Sequence, residues 1–555
     1  MKANVSHHGE PEVEQAKASI PSHQPAADVT SADIDDAAQA THLEHEMGFL
    51  GSLKIYRKGV AWSIMLSTAI VMEGFDLVLL SGLLGFPAFE EKYGALQADG
   101  SYELSAQWQT GLSMGSMVGQ IIGLFLNGYI ADRFGYRKTM MAGLASIAAF
   151  IFIPFFAQNI VTFFFGQVLL GIPFGSFQAV ACTYAAEVVP TQLRAYLTTY
   201  INLCWVFGQI LGSGILRALV HRTDTWGYKI PIAVQWFWPL PLFVGCIFVP
   251  ESPWWLVRQG RTEEAKRSLG RLTSGTDSTY SIEKTVAMIT YTIDLNKATS
   301  SGTSYLECFR GVNLRRTELV CMSWMISVLS GSPLMGYSSY FYQQAGLDVS
   351  NSFTMTVAQY CLGAIGTFCS WFLMGRAGRR TIYLYGLATM CVTLLTIGFT
   401  SLAGRSNIAA QWTIGSLLLV YTFLYDCTVG PVAYTLVSEL PSSRLRTKSV
   451  VLARNMYQIV NIISTIITPP MLNPTAWNWG AKSGFFFAGT CFLCLVWTFL
   501  RLPEPKGRTF AELDVLFESG VPARKFRTTA VAEVDPAGLA KESFAVHVER
   551  TTPSP

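Results

Sequence analysis

Two acidic residues lie inside a long apolar stretch near the N-terminal end of the chain. The stretch from Gly59 to Phe86 is long enough to cross the hydrocarbon core of a bilayer as a helix, and Glu73 and Asp76 stand near its middle. A spacing of three residues places both side chains on one helical face. A carboxylate at that depth is costly unless it is paired, hydrated or protonated, so this pattern is typical of acids that face a water-filled path.

Proton transfer is the chemistry that fits two such acids. A carboxyl group withdrawn from water favours its neutral form and holds a proton, whereas the approach of a cation favours the ionised form and releases it. We assign the role of that cation to Arg454, in a later apolar stretch. Two plainer alternatives stay open. Glu73 and Asp76 could form a structural pair, or Arg454 could reach the membrane surface, since it lies only about 9 Å of helix beyond Lys448.

Amide and carboxyl side chains at similar depth offer hydrogen bonds to a small polar solute. Gln120, Gln209 and Asp426 each fall roughly 20 Å along their apolar stretches, near the middle of a bilayer. An inter-helix hydrogen bond is the alternative role for Gln209. For Asp426 the alternative is to cap the helix break that Gly430 and Pro431 predict. Further candidates, whose rings and amides are as typical of helix packing, are Tyr337, Tyr340, Tyr434 and Asn455.

The composition of the chain is that of a membrane protein. Of its 555 residues, 50% are hydrophobic and only 14% are charged, with a mean hydropathy of +0.33, whereas soluble domains carry about 25% charged residues. A net charge of +3 gives no reason to expect nucleic-acid binding. The cysteines lie mostly inside apolar stretches, so we expect no disulfide framework and no metal site. The sequence contains no phosphate-binding loop of the GxxxxGK[ST] type, and we expect no cofactor and no enzyme activity.

Twelve apolar stretches follow one another as six, a polar break, and six more. We therefore expect an all-α membrane protein with twelve transmembrane helices in two pseudo-symmetric six-helix halves. The polar break contains RTEEAKRSLGRL, which predicts a short amphipathic helix. The expected parts are a disordered N-terminal tail at 1–55, a first half at 56–250, a helical linker at 251–316, a second half at 317–502 and a C-terminal tail at 503–555.

Lysine and arginine are concentrated in the short loops after the second, eighth and tenth apolar stretches. Loops on the opposite side are poor in basic residues and richer in acids and amides. The positive-inside rule therefore places both tails and the linker in the cytoplasm of a multi-pass protein of the cell membrane.

Short motifs of the first half recur in the second. EVVPTQLR, from Glu187 to Arg194, returns 252 residues later as ELPSSRLR, from Glu439 to Arg446. Such pairs indicate parallel repeats related by an axis along the membrane normal. Two further pairs are PESP at 250–253 with PEP at 503–505, and ADRFGYRK at 131–138 with GRAGRR at 375–380.

The charged residues of these motifs fall at the cytoplasmic ends of the predicted helices. We expect them to form salt bridges between the halves that hold the inner side shut, because breaking such a cluster shifts a two-state equilibrium. The alternative is ordinary charge flanking of helices. The residues expected in this cytoplasmic gate are Asp132, Arg133, Arg137, Glu187, Arg194, Glu251, Glu439 and Arg446.

The same motifs resemble those of the sugar-porter branch of the major facilitator superfamily. GYIADRFGYRK, PESPWWL and PEPKGRTF match the loop motifs of that branch in position and order. Three stretches resemble the fungal maltose/α-glucoside:proton symporters more closely, namely MEGFD, AYLTTYINLCWVFGQILGSG and YDCTVGPVAYTLVSELPSSRLRTKSVVLARN. The resemblance covers about residues 55–515 and implies a transporter with a sugar site between its halves.

Two positions depart from the pattern of that family. Sugar porters have paired glutamines and an asparagine in helix seven, where this chain reads SVLSGSP from Ser327 to Pro333. The disaccharide symporters tend to carry an acid in helix two, where Gln120 stands. Ser327 and Gln120 therefore join the residues expected to bind substrate, and the identity of the solute stays open.

These features favour a monomeric, proton-coupled importer of an α-glucoside such as maltose in a fungal plasma membrane. Its expected partners are a small-molecule sugar, a proton and the lipid bilayer. The changes at Ser327 and Gln120 motivate an alternative, a porter for another small polar solute or an exporter of a glycosylated or secondary metabolite. A non-transporting sensor is a third alternative, which short tails disfavour.

Overall fold

The computed structural model of this chain is built of helices, with one short antiparallel pair of strands, β1 (Ala95–Leu96) and β2 (Tyr102–Glu103), in the part it describes. That part comprises residues 39–40, 43 and 47–529, apart from gaps at 84–85, 97–101, 220, 223, 275–279, 300–303, 337–348, 404–407, 443, 473–476 and 478.

Within the described residues, twelve helical segments are long and apolar enough to cross a membrane. A backbone in lipid must satisfy its own hydrogen bonds, and a helix does so within one segment. The predicted fold class of twelve membrane-spanning helices is thus confirmed. We number the segments spans 1 to 12, with the bounds Arg57–Leu83, Thr110–Phe134, Tyr136–Phe156, Ile160–Glu187, Thr191–Leu219, Trp226–Phe248, Gly311–Gly336, Thr354–Arg376, Arg379–Ala403, Trp412–Glu439, Arg446–Thr468 and Gly480–Arg501.

Prolines explain most interruptions within the spans. A proline cannot donate a hydrogen bond to the carbonyl four residues earlier, and its ring crowds that carbonyl. The first helical piece accordingly ends four residues before Pro154 in span 3, before Pro333 in span 7 and before Pro431 in span 10. The pieces are Arg57–Ser67 and Ile70–Leu83; Tyr136–Phe150 and Phe152–Phe156; Trp226–Val234, the 3₁₀ turn Gln235–Phe237 and Pro239–Phe248; Gly311–Leu329 and Pro333–Gly336; Ile408–Cys427 and Val429–Glu439.

Shorter helices connect and cover the spans. They are α1 (Phe49–Ile55), α2 (Pro87–Tyr93), α3 (Pro253–Arg258), α4 (Thr262–Leu272), α5 (Ile282–Thr299) and α6 (Phe510–Glu518), with 3₁₀ turns at Tyr305–Phe309, Ser401–Ala403, Gly480–Lys482 and Ala523–Lys525. The helix of span 2 begins at Ala106, that of span 8 at Val349, and that of span 11 continues to Leu472. The segment expected to form an amphipathic helix is α4, which buries Ala265, Leu269 and Leu272.

The spans pack in the same pairs in each half. Span 1 packs against span 5, span 2 against span 4 and span 3 against span 6, and the matching pairs six spans later are 7 with 11, 8 with 10 and 9 with 12. The halves meet where span 2 contacts span 11, span 5 contacts span 8, and spans 4 and 5 contact span 10. The internal repeat read from the motifs is therefore a repeat of structure.

Glu251 and Glu504 hold equivalent turns in the two halves. Glu251 accepts hydrogen bonds from the backbone N–H groups of Tyr136 and the next residue at 3.0 and 3.2 Å. Glu504 accepts from those of Arg379 and the next residue at 2.8 and 3.1 Å. Burial raises the pKa of both carboxyl groups, and the backbone donors oppose that rise. Each glutamate thus satisfies N–H groups left free at the beginning of span 3 or span 9.

Replacing either glutamate should weaken the half that contains it. Glu251→Ala and Glu504→Ala should each lower the free energy of unfolding by about 1–2 kcal/mol, because the first turn of a helix loses its acceptor. Thermal unfolding of the purified full chain in detergent measures this loss. Glu263→Ala is the matched control, since this exposed side chain pairs only with nearby Lys266 on α4 among the described contacts and should change little. Identical melting temperatures for all variants would contradict the capping role.

Candidate functional site

A buried ion pair joins the two halves. Glu73 of span 1 accepts a hydrogen bond from Nη2 of Arg454 in span 11 at 3.1 Å, and the two side chains are 3% and 4% exposed. The guanidinium also lies over the rings of Tyr457 and Trp324, 4.1 and 4.8 Å from their centroids. Both charges are withdrawn from solvent, so removal of one partner leaves the other uncompensated.

Asp76 has a different partner from Glu73. Its Oδ1 accepts a hydrogen bond from Nε2 of Gln235 at 2.8 Å, in the 3₁₀ turn of span 6. Side chains three residues apart point about 60° apart around a helix. Here that angle directs Glu73 across the interface and Asp76 into the first half. The expected acid pair is therefore divided between a cation of the opposite half and a neutral amide of its own half.

Three of the expected substrate-binding residues border the same interface. Gln120 of span 2 accepts a hydrogen bond from the amide of Gln458 in span 11. Tyr434 of span 10 packs edge-on against Trp324, with 4.6 Å between the ring centroids. Asn455 donates from Nδ2 to the carbonyl one turn earlier in its own helix at 3.0 Å.

The remaining candidates are placed less favourably for a solute. Ser327 donates its hydroxyl to the carbonyl of Ser323, one turn earlier, at 3.4 Å. Gln209 is buried in span 5, where Gly208 packs closely on the backbone of span 1. Tyr337 and Tyr340 lie outside the described residues.

Asp426 does not cap the break in span 10. Its Oδ1 accepts a hydrogen bond from Nδ2 of Asn202 in span 5 at 3.0 Å, across the interface between the halves. The break falls at Thr428, whose hydroxyl donates to the carbonyl of Leu424 at 2.6 Å. The carboxylate is turned away from the break because Asn202, on the opposite half, provides its donor.

Buried polar atoms without a hydrogen-bond partner surround Arg454. Within the described part of the chain they include Oε2 of Glu73, Nε1 of Trp324, Oδ1 of Asn455 and Oε1 of Gln458. These residues contact Arg454 or follow it within about one helical turn. Acceptors and a donor beside aromatic rings are the groups that a polyhydroxylated solute needs.

The cluster around Arg454 contains three residues that the sequence did not predict. Trp324, Tyr457 and Gln458 were not among the expected site residues, although all three lie at the interface with Arg454 or Gln120. Helical spacing was the available signal for two of them, because positions three and four residues after Arg454 share its face. Nothing local in span 7 distinguishes Trp324 from an ordinary packing residue.

We call the ends of the spans that carry Glu187, Arg194, Glu439 and Arg446 the motif face. Glu187 accepts hydrogen bonds from Nη1 of Arg258 on α3 at 2.9 Å and from Nη1 of Arg446 at 3.4 Å. Burial alone would lower the pKa of Arg258, but the adjacent Glu187 raises it above its ordinary value, so the guanidinium stays charged. Since Arg446 belongs to the second half, this cluster joins the halves.

Two further contacts cross the interface on the motif face. Asp132 of span 2 forms an ion pair with Lys448 of span 11. The hydroxyls of Tyr136 and Thr447 are hydrogen-bonded at 3.1 Å. Lys448 was not among the expected gate residues. Together these contacts close the motif face in this structure.

Other expected gate residues bond within their own half. Glu439 pairs with an arginine of span 9 at 3.3 Å instead of crossing the interface. Arg133 donates to the hydroxyl of Tyr129, one turn earlier, at 3.2 Å. Arg137 contributes its backbone N–H to the cap formed by Glu251. Their positions at helix ends satisfy local groups first, so proximity to a motif did not make them inter-half partners.

One residue difference between the repeats explains why Glu187 pairs across the interface whereas Glu439 pairs within its own half. Tyr136 and Arg379 hold equivalent positions, directly after Gly135 and Gly378. The second half has a guanidinium beside Glu439, whereas the first half has a phenol hydroxyl 3.4 Å from Glu187. Glu187 therefore takes its cations from α3 and from the opposite half.

Arg194 and Arg446, the matching arginines of the two motifs, share one aromatic ring. Each guanidinium carbon lies 3.6 Å from the ring centroid of Phe510 on α6. Arg194 also donates from Nε to the carbonyl of Ala186 at 3.2 Å. The expected partners of Arg194 were acids, and the contacts described for it include this ring and this carbonyl.

Arg454 is already paired while the motif face is closed. From the sequence we expected Arg454 to approach the acids when the proton is released, or else to reach the membrane surface. Its side chain is buried against Glu73 and does not reach solvent. The end of span 11 is itself covered by α3 and α6, where Trp254 and Phe510 lie against Arg446.

Residues 62–517 match the family model described as sugar (and other) transporter. The chain is 45% identical over 513 residues to the general alpha-glucoside permease of Saccharomyces cerevisiae, an alignment that covers 91% of this chain and 82% of the relative. It is 42% identical over 524 residues to the maltose permease MAL31 of the same yeast, covering 93% and 84%.

Solved transporters share the fold. The proton:xylose symporter XylE bound to 6-bromo-6-deoxy-D-glucose superimposes with a TM-score of 0.71 at 20% identity, covering 83% of this chain and 99% of that one. The inward-open conformation of the xylose transporter XylE from E. coli gives a TM-score of 0.59 at 19% identity, covering 82% and 98%.

The repeated six-span halves, which meet at a polar interface, define a multi-pass membrane transporter of the major facilitator superfamily. Within that superfamily, the chain belongs to the sugar transporter family and resembles the fungal maltose and alpha-glucoside permeases.

The Glu73–Arg454 pair should be strongly coupled in stability. Glu73→Gln and Arg454→Gln should each lower the free energy of unfolding by about 3–5 kcal/mol, because each leaves a buried charge without its partner. The double variant should recover much of that loss, since neither charge remains. Thermal unfolding of the four proteins in detergent gives the coupling energy by a double-mutant cycle. Additive losses would show that the two side chains are independently compensated.

Proposed function

We propose that this chain imports an α-glucoside such as maltose by proton symport, with access alternating between the two sides of the interface between its halves. The observation that carries the proposal is the buried Glu73–Arg454 pair, which places a titratable group between two parts that must move. Relatives named as alpha-glucoside and maltose permeases, aligned over 91% and 93% of this chain, support the substrate class.

The proposal includes an orientation and a domain arrangement. The motif face and both tails lie in the cytoplasm of the plasma membrane, and the chain acts as a monomer. The concentration of basic residues on that side supports this orientation. The moving parts are the halves at 56–250 and 317–502, joined by the linker at 251–316 and flanked by the tails at 1–55 and 503–555.

The proton acts on the ion pair between the halves. Protonation of Glu73 from outside removes its attraction to Arg454, so the halves separate more easily at that level. Once the motif face has opened, the proton leaves towards the cytoplasm, and when the halves return the guanidinium pairs again with the ionised carboxylate. Asp76, held by a neutral amide in the first half, is the second acid in this path.

The solute lies against the aromatic and amide groups around Arg454. Trp324 and Tyr434 offer apolar ring faces to a pyranose, and the unpartnered atoms of Asn455 and Gln458 bond its hydroxyls. Gln120 joins this set once the hydrogen bond from Gln458 opens. Binding therefore replaces hydrogen bonds between the halves with bonds to the sugar.

Transport of another small polar solute is the second candidate function. The observation that favours it is Ser327, whose hydroxyl is satisfied by its own helix and so does not replace the amides typical of helix seven in sugar porters. A site with fewer side-chain amides in span 7 selects for a different arrangement of hydroxyls.

Uptake by yeast that lacks its own maltose permeases tests the proposal. Cells that produce this chain should take up radiolabelled maltose faster as the medium is acidified. Glu73→Gln cannot ionise, so it should keep exchange of labelled for unlabelled maltose but lose accumulation against a gradient. Glu263→Gln, on exposed α4, is the control and should behave like the wild type.

The outcomes separate the two candidate functions. Uptake that is independent of pH and indifferent to Glu73→Gln would exclude symport through this acid. Failure to take up maltose together with uptake of another solute from a panel of sugars, polyols and glycosides would favour the second candidate.

A further inference from the structure

The internal repeat relates two residues that both reach across the interface. The offset of 252 residues between the motifs places Asn202 of span 5 and Arg454 of span 11 in equivalent positions. Arg454 donates to Glu73 of the first half, and Asn202 donates to Asp426 of the second half at 3.0 Å. The same position in each half thus donates a hydrogen bond to an acid of the other half.

The surroundings of Asp426 enclose its carboxylate tightly. The side chain is buried, and Asn202 donates a further hydrogen bond to Thr367 of span 8 at 3.2 Å. A Cβ at Gly363 would lie only 2.5 Å from Oδ2 of Asp426, so span 8 leaves no room for a side chain there. The contact therefore depends on close approach of spans 5, 8 and 10.

The groups that face Asp426 are neutral. The titratable side chains that act on it or feel its charge are Tyr360 from span 8 with Tyr421, Tyr425 and Cys427 from its own span. Among the described residues no cation contacts its carboxyl group, which is the difference from Glu73. A carboxyl group enclosed in this way is stable in its neutral form and ionises when water reaches it.

We propose that Asn202 and Asp426 form a second polar contact between the halves, in addition to the Glu73–Arg454 pair, and we call this contact the second clasp. We further propose that Asp426 exchanges a proton each time the clasp opens. The inference rests on the proposed function. When the halves separate, the O–H bond of the Asp426 carboxyl group breaks, its electrons stay on the carboxylate and water accepts the proton. The proton is released on the cytoplasmic side, and the carboxylate takes up another proton from water on the outer side, so that each cycle carries one proton inwards.

Asp426→Asn tests the proton step, because an amide keeps the shape and an acceptor oxygen but cannot release a proton. In proteoliposomes that contain the full chain, the variant should keep exchange of radiolabelled for unlabelled maltose. It should lose accumulation driven by a proton gradient and the maltose-dependent rise in external pH. Thr393→Val on span 9, which removes a hydroxyl bonded only to its own helix among the described contacts, is the folding control and should retain all three activities.

Asn202→Ala tests the clasp independently of the acid. The amide donor stabilises the ionised form of Asp426, so its loss should make the carboxyl group hold its proton more tightly. The pH at half-maximal uptake should therefore move to a higher value, a shift that a purely structural contact does not produce. An unchanged pH profile would overturn the proposal even if Asp426→Asn failed to fold.

The remaining outcomes are also decisive. Accumulation by Asp426→Asn at the wild-type level would make Asp426 a structural hydrogen-bond partner. Loss of exchange as well as accumulation in a folded Asp426→Asn protein would make it a substrate ligand. Either result overturns the second clasp alone. If the wild type exchanges none of the sugars tested, the proposed function fails and the clasp fails with it.

Discussion

The cost of burying charge between two movable halves governs this structure. Glu73 and Arg454 are separated by 381 positions in the chain, yet each is nearly withdrawn from solvent and depends on the other. Neither charge is stable alone in a low-dielectric interior, so the pair links the positions of spans 1 and 11. Any motion that opens the interface must first satisfy these groups by protonation, by water or by a bound solute. Under the proposed function, this ion pair couples protonation of Glu73 to the movement of the halves.

The interface contains polar contacts at successive levels. Near the motif face, Glu187 and Arg446 pair across the halves under a cover formed by α3 and α6. Deeper in the bundle lie the hydrogen bond between Asn202 and Asp426 and the ion pair of Arg454. In water each of these contacts would contribute little free energy. In an interface without water, a buried group that loses its partner destabilises the structure strongly. Half-opened arrangements would leave several of these groups unsatisfied, so we expect the interface to open cooperatively.

The rigid parts are built by the same devices in both halves. Glu251 and Glu504 cap equivalent helices by accepting from backbone N–H groups, so these contacts do not depend on the side chains of the donating residues. The gate residues do not follow the repeat, because Tyr136 stands where the second half has Arg379. Glu187 of the first half consequently pairs with Arg446 of the second half. The repeat thus preserves the scaffold, and one departure from it produces one of the contacts that close the motif face.

Hydropathy, helical period and motif spacing are local properties, so the sequence alone determined the twelve spans, the two halves and the presence of acids in span 1. Those properties could not reveal that Glu73 and Asp76 take different partners, that Glu439 bonds within its own half, or that Asn202 reaches Asp426. Each of these depends on the rotation of one helix against another from a distant part of the chain. Only the packed tertiary structure sets that rotation, and with it the partner of every buried charge.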